Sequence, residues 1–296
     1  MIRTAFLAAA FCLPLIAASF SGEVAYAHVK TQCDMGPRHY GSTSYFSLRS
    51  YITNTLSKAG LAPKTHAFRS PYFPDRRGEN YFAVIPGAGA KYIICAAHYD
   101  TRSIAEKELL LSKRGPIAGA NDGASAVGVL LELARVLPGK KLPYPVMLVF
   151  FDMEDDGSFA RSFTDTDWIQ GSLAFAARSD MTKAKVHCGI LLDMIGSDKA
   201  VYRYESYAYS RYSSLYAAVW DMARAMGYSQ FVKGSSGEII DDHIPFAVKG
   251  IPFIDIIDMG YAWHHTQGDT LDKISKEALY RTGSLIERFV QSPPAW

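Results

Sequence analysis

Side chains able to bind metals or move protons recur in this sequence at the ends of short apolar runs. The run at 92–97 passes into His98-Tyr99-Asp100, and the run at 146–151 into Asp152-Met153-Glu154-Asp155-Asp156. The run at 189–194 contains Asp193, and the run at 251–257 leads through a short loop to Trp263-His264-His265-Thr266. Between the first two, Gly119-Ala120-Asn121-Asp122-Gly123-Ala124-Ser125 puts an aspartate where a helix should begin. Acids and imidazoles arriving from separate segments suit a catalytic zinc: three N or O ligands hold the ion and a further position stays open. Each group also has a plainer reading. Asp122 could be an N-cap, His98 and Asp193 hydrogen-bonded polar residues at strand ends, and Asp155-Asp156 a solvated turn. Their joint placement at successive element ends favours the metal.

Something must carry these groups to one place. The four apolar runs read as buried strands. Helical spacing marks 44–60, 124–137, 171–178, 209–226 and 276–290. Strands alternating with helices predict an α/β fold, a three-layer α/β/α sandwich with a mostly parallel mixed central sheet. In open sheets of this kind, sites lie at the carboxyl ends of strands, where the acids and histidines fall. The Tyr-rich stretch at 202–216 reads as a packed helix and its approach, not as a binding box.

The chain has 296 residues with a formal net charge of +2 and no long Lys/Arg run, which argues against a nucleic-acid partner. Met1-Ile2-Arg3, an apolar run at 5–18 and the small-x-small triplet Ala25-Tyr26-Ala27 read as a signal peptide, residues 1–27, cleaved near His28. The expectation is a periplasmic or secreted protein with a single catalytic domain at 28–296. No stable membrane insertion is expected after cleavage, since no later segment could span a bilayer. Cys33, Cys95 and Cys188 lack zinc-finger spacing, and the latter two lie in apolar runs where cysteine acts as a small hydrophobe.

The motifs resemble, in order and over nearly all of residues 28–296, those of the zinc aminopeptidase and glutaminyl cyclase superfamily. The matching segments are Ala96 to Thr101, Gly119 to Ser125, Leu148 to Asp155, Leu191 to Gly196, and His265-Thr266 followed by Asp269-Thr270-Leu271-Asp272. The resemblance implies that Asp122, Asp155 and His265 are the zinc ligands and Glu154 the general acid–base. It implies that His98 and Asp193 hold a possible second metal in the two-zinc aminopeptidases, while cyclases use one zinc. The Asp269-Thr270-Leu271 register selects His265 over His264 as ligand.

Within the superfamily, Gly36-Pro37-Arg38, Glu154-Asp155, Trp168-Ile169-Gln170-Gly171-Ser172 and Asp241-Asp242-His243-Ile244-Pro245-Phe246 resemble bacterial glutaminyl-peptide cyclotransferases. The doubled His264-His265 looks more like some peptidases. The expected reaction converts the N-terminal Gln of a peptide or protein to pyroglutamate with loss of ammonia. Glu154 would transfer the proton, Asp241 would hydrogen-bond the amide or intermediate, and Trp168, Trp263 and His264 would line the substrate pocket. The alternative is a two-zinc aminopeptidase. A non-catalytic binding protein on the same fold is the third reading, and the full set of acid, base and ligands argues against it.

Overall fold

The computed structural model describes residues 18–296; the apolar run at 5–18 lies outside the described residues but for its last position. In chain order the elements are α1 (Gly22–Met35), α2 (Thr43–Lys58), β1 (Lys64–Arg69), β2 (Arg77–Ile85), β3 (Tyr92–His98), α3 (Ala124–Val136), β4 (Val146–Phe151) and α4 (Gln170–Ala176). They continue with β5 (Val186–Asp193), β6 (Tyr202–Glu205), α5 (Ser206–Ala225), β7 (Phe231–Gly237), α6 (Ile244–Val248), β8 (Phe253–Ile257) and α7 (Lys276–Gln291).

Six strands form one sheet in the order β1-β2-β4-β3-β5-β8. The pairs β4-β3, β3-β5 and β5-β8 are parallel, while β1-β2 and β2-β4 are antiparallel. Burial explains which strands were legible in advance. β3, β4, β5 and β8 are covered on both faces, so they read as unbroken apolar runs. The antiparallel edge strand β1 is half exposed, with Lys64 and Arg69 at its ends, charges that discourage pairing with another chain. Its sequence carries no apolar run, and β1 and β2 were not anticipated. Neither was the small parallel pair β6-β7.

One face of the sheet packs on α1, α2, α3, α5 and α7 through a core that includes Val29, Leu48, Leu130, Trp220 and Ile286. The other face packs on the short α4 and α6 around Phe151, Phe175, Phe246 and Phe253. These are the three layers expected. The Tyr-rich stretch forms β6 and the first half of α5, with Tyr202 and Tyr216 fully buried. Cys33, Cys95 and Cys188 are free.

One expectation about the chain's beginning meets a different structure. Helix α1 runs unbroken through residue 27, and the packed fold starts at Phe20, whose side chain is buried. The proposed boundary between residues 27 and 28 therefore falls inside a core helix.

Candidate metal centre and active site

The carboxyl ends of β3, β4 and β5 and the loop after β8 meet at a cavity of about 380 Å³. It is lined by Asp122, Glu154, Asp155, Asp193, Asp241, His264 and His265, with Trp168, Met194, Ile239 and Ile257 as apolar wall. A larger groove of about 840 Å³ between α5 and the C-terminus holds no imidazole and no converging acids. The smaller cavity is where chemistry is concentrated.

Each site residue is presented by a specific backbone device. Asp122 precedes Gly123, the N-cap of α3, and caps nothing itself, which removes the plainer reading of that residue. Gly123 has φ +91°, and a side chain there would sit 2.8 Å from the Asp100 carbonyl and 3.3 Å from the His98 ring. Glycine thus lets the turn press against His98. Glu154 and Asp155 stand on the turn after β4, where both backbone N–H groups donate to the carboxylate of Asp100 at 3.1 Å. Asp269 does the same on the other side, accepting from the N–H groups of Asn121 (2.8 Å) and Asp122 (3.1 Å). Among the described residues, four that are not glycine have positive φ, namely Met153, Ile169, Met194 and His265. The first three adjoin Glu154, Trp168 and Asp193, and the fourth is itself a site residue.

The imidazoles have distinct jobs. His265 Nε2 lies 3.0 Å from Asp155 Oδ1 and 3.6 Å from Asp122 Oδ2. Its Nδ1 meets Glu106 and its Nε2 faces the acids; burial would lower its pKa, but Asp155 and Glu106 raise it to about 10, so a cation bound here would displace the Nε2 proton. Such a carboxylate–histidine pair is the usual support for a metal-binding imidazole. His264 is arranged the opposite way. The ammonium of Lys107 donates to its Nδ1 at 2.8 Å, which leaves the proton on Nε2, 3.9 Å from Asp122. Burial, aided by the charge of Lys107, holds the His264 pKa at about 4. Of the two adjacent histidines, His265 turns Nε2 toward both Asp122 and Asp155, while His264 Nε2 reaches Asp122 alone.

His98 Nε2 sits between Asp122 Oδ1 (3.3 Å) and Asp193 Oδ1 (3.2 Å). Burial alone would depress its pKa, but the carboxylates of Asp122 and Asp193 on Nε2, with Asp100 3.8 Å from Nδ1, overcome this and raise it well above the ordinary value. Burial likewise pushes Asp155 and Asp193 up to about 7 each. Glu154 rises well above its usual range, through burial and the nearby Asp155, Asp241 and Asp242. Asp122 goes the other way: burial works against its ionisation, yet His98, His264 and His265 keep it well below the carboxylate range.

The donor set fits a zinc-like cation. Carboxylate oxygens and imidazole nitrogens suit it, and Asp122 Oδ2, Asp155 Oδ2 and His98 Nδ1 are buried with no hydrogen-bond partner. Among the described residues, Asp122, His264 and His265 can bring ligand atoms within 4.8 Å of one another, as can His98, Asp122 and Asp193.

Trp168 stands at the cavity, stacked parallel to His265 at 6.1 Å with the Arg102 guanidinium 4.4 Å over its ring. Trp263 does not belong to the pocket. It is 43% exposed, lies against Gly268 with Lys273 over its ring at 5.0 Å, and lines a separate depression beside Lys273. The tight turn through Tyr261–His264 and Trp263–Thr266 sends consecutive side chains in different directions, and His264 takes the inward one. Glu106, Asp100 and Asp269 were missed as orienting residues. Asp100 and Asp269 lie inside recognised motifs and could have been suspected; Glu106 stands in a loop with no motif.

With this geometry in hand, comparison with known proteins is informative. Residues 80–290 match Peptidase family M28. A glutaminyl-peptide cyclotransferase of Drosophila melanogaster is 27% identical over 259 residues, 77% of this chain and 69% of that protein. The crystal structure of Bacteroides thetaiotaomicron glutaminyl cyclase bound to N-acetylhistamine superimposes with a TM-score of 0.86 at 27% identity, covering 94% of this chain and 100% of the other. A Zn-dependent exopeptidase from Parabacteroides distasonis does so with 0.85 at 29%, covering 93% and 99%. The chain belongs to peptidase family M28.

Proposed function

We propose that this protein is a zinc-dependent glutaminyl-peptide cyclotransferase of the periplasm or extracellular space. Asp122, Asp155 and His265 would hold one zinc ion. The observation that carries the reading is the convergence of Glu154, Asp155, Asp193, Asp241, His264 and His265 on one small cavity with an apolar wall. Glu154 stands beside the ligand set, where a group that moves a proton during cyclisation is needed. The cyclases of Drosophila and Bacteroides that match most of the chain support it. No described helix is long and apolar enough to cross a membrane, in keeping with a protein exported whole.

Bound zinc would supply Lewis acidity toward the γ-amide carbonyl of an N-terminal Gln. The rest is done by the chain. Trp168, Ile239 and Ile257 offer the apolar wall against which the Gln methylenes pack. Glu154 takes a proton from the substrate's α-amine as its nitrogen bonds to the amide carbon. It returns a proton to the amide nitrogen as that C–N bond breaks and ammonia leaves. Attack within one molecule already has a large effective concentration, so positioning suffices. Asp241 lines the cavity, where it would hydrogen-bond the amide group.

The test is incubation of purified protein with a Gln-initiated peptide, read by mass for loss of ammonia. Release of free N-terminal residues in its place would reject the reading. It would favour a two-zinc aminopeptidase, for which the observation is the second ligand-like group, His98, Asp122 and Asp193. Zinc stoichiometry separates the two: one ion per chain for the cyclase, two for the peptidase.

A further inference from the structure

Small-x-small triplets recur near the start of the chain, among them Ala17-Ala18-Ser19 and Ala25-Tyr26-Ala27, and the structure distinguishes these two. We propose that the leader is removed within the first, leaving a mature chain that begins at Ser19 or Phe20, and that Ala25-Tyr26-Ala27 is not a processing site but part of the core. The proposal rests on export, part of the function proposed above.

Residues 20–27 are built into the fold at every level. The Phe20 ring fills the space beside Gly283 of α7, where a methyl group would meet the ring at 2.0 Å. Its backbone N–H donates to Glu287 at 3.1 Å. The Ser21 N–H donates to the fully buried Glu132 at 2.9 Å, and the Ser21 hydroxyl caps α1 by accepting from Val24 N–H. Gly22 lies so close to α7 that a methyl group there would be 2.1 Å from the Lys276 carbonyl. Ala25 is fully buried, its carbonyl 2.8 Å from where a side chain on Gly128 of α3 would begin. Ala25 against Gly128 at the α1–α3 crossing, and Gly22 against the first turn of α7, let the backbones approach this closely.

Cleavage after Ala27 would remove the cap and the first turns of α1 and uncover the apolar trough on α3 and α7. It would also take away the N–H donors that face Glu132 and Glu287. The damage would reach the active site, because Gln32 on the same helix donates to the Ala124 carbonyl in the first turn of α3, directly after Asp122. By contrast Ala18 and Ser19 are exposed, and the one hydrogen bond to either is a long one from Arg135 to the Ser19 carbonyl at 3.5 Å. Hydrolysis there adds water across one peptide bond, giving a carboxylate on the leader and an ammonium on the enzyme. If the cut falls after Ser19, that ammonium lies where the Phe20 N–H already meets Glu287.

The test uses the full precursor expressed in a bacterium with an intact export system, with whole-protein mass measured on the exported enzyme. The expected masses are those of chains starting at Ser19 or Phe20. A start at Gly22 or later overturns the proposal while leaving the export reading intact. Uncut protein found in the cytoplasm overturns both, and neither result touches the cyclase assay, which is read separately. Two variants of exposed residues sharpen the outcome. Ala27→Arg should be processed at the wild-type position, and Ala18→Arg with Ser19→Arg should accumulate as precursor. Loss of processing in Ala27→Arg, or normal processing of the double variant, also overturns the proposal.

Discussion

Two acid–imidazole clusters lie buried side by side in this molecule. In one, Asp122, Asp155 and His265 border the cavity. In the other, His243 is enclosed between Glu205, 3.0 Å from Nε2, and Asp255, 3.7 Å from Nδ1, with Asp241 close by. By composition alone the two are equivalent, and ligand atoms of Asp241, His243 and Asp255 also fall within 4.8 Å of one another. They differ in what their atoms face. His265 has one nitrogen fixed by Glu106 and the other turned toward unpartnered oxygens beside open space. Both nitrogens of His243 face carboxylates in the interior, and Glu205 is occupied as the cap of α5, accepting from Tyr207 and Ala208 N–H. The first arrangement borders a cavity that could admit a substrate; the second lies in the interior, and its own unpartnered atoms, His243 Nδ1 and both Asp255 oxygens, face no such space. Access to a cavity, not an abundance of ligand-type or unpartnered atoms, favours the first cluster as the candidate metal site.

The contrast can be broken by substitution. The largest effect should come from His265→Ala or Asp122→Ala, with zinc lost and Gln cyclisation down about 1000-fold or more, since the Lewis acid goes with the ligand. Metal analysis that finds zinc retained would count against the ligand assignment. Glu154→Gln should keep zinc and lower kcat by about 10²–10⁴-fold with little change in KM. Glu106→Gln should weaken zinc affinity by about 10–100-fold, as loss of a supporting partner does, measured by competition with a chelator. His243→Asn should leave zinc content unchanged and cost about 1–3 kcal/mol of folding stability, because buried Glu205 loses a partner. Zinc loss in that variant would erase the distinction drawn above.

The smallest effect concerns pH and a residue outside both clusters. Burial, with a contribution from Arg135, lowers the His28 pKa to about 4. The unfolded chain takes up this proton near pH 6.5 and the folded chain only near 4, so the unfolded state holds the extra proton between them. The stability tied to neutral His28 is complete above pH 6.5 and declines as pH falls toward 4. Thermal unfolding of His28→Asn should have a shallower acid limb than wild type; an identical limb would show that His28 does not contribute.

Much of this was legible in the sequence where burial leaves a simple imprint. The doubly covered strands β3, β4, β5 and β8 are mostly apolar, with Asp255 the one charged residue inside β8, and the parallel fold then requires their carboxyl ends to converge, which gathered His98, Asp122, Glu154, Asp155, Asp193 and His265. Helix α1 was not legible because its small apolar residues also suit a leader, and only contact with α3 and α7 tells the two apart. Edge strand β1 has no periodic apolar pattern to detect. Glu106 meets His265 across 159 positions of sequence, a distance no local motif spans. Trp263 was misplaced because adjacency in sequence says little about direction in a turn.

The four positive-φ residues around the cavity have a practical consequence. A left-handed backbone costs an ordinary L-residue about 1–2 kcal/mol, and glycine is spared that cost. Met153 and Met194 are also buried, so glycine at either position would trade that strain for a cavity costing about 2–5 kcal/mol. The packed side chain is what holds each left-handed turn in place. Met153→Gly or Met194→Gly should therefore lower the melting temperature and, by loosening the turns that aim Glu154 and Asp193, slow the enzyme as well.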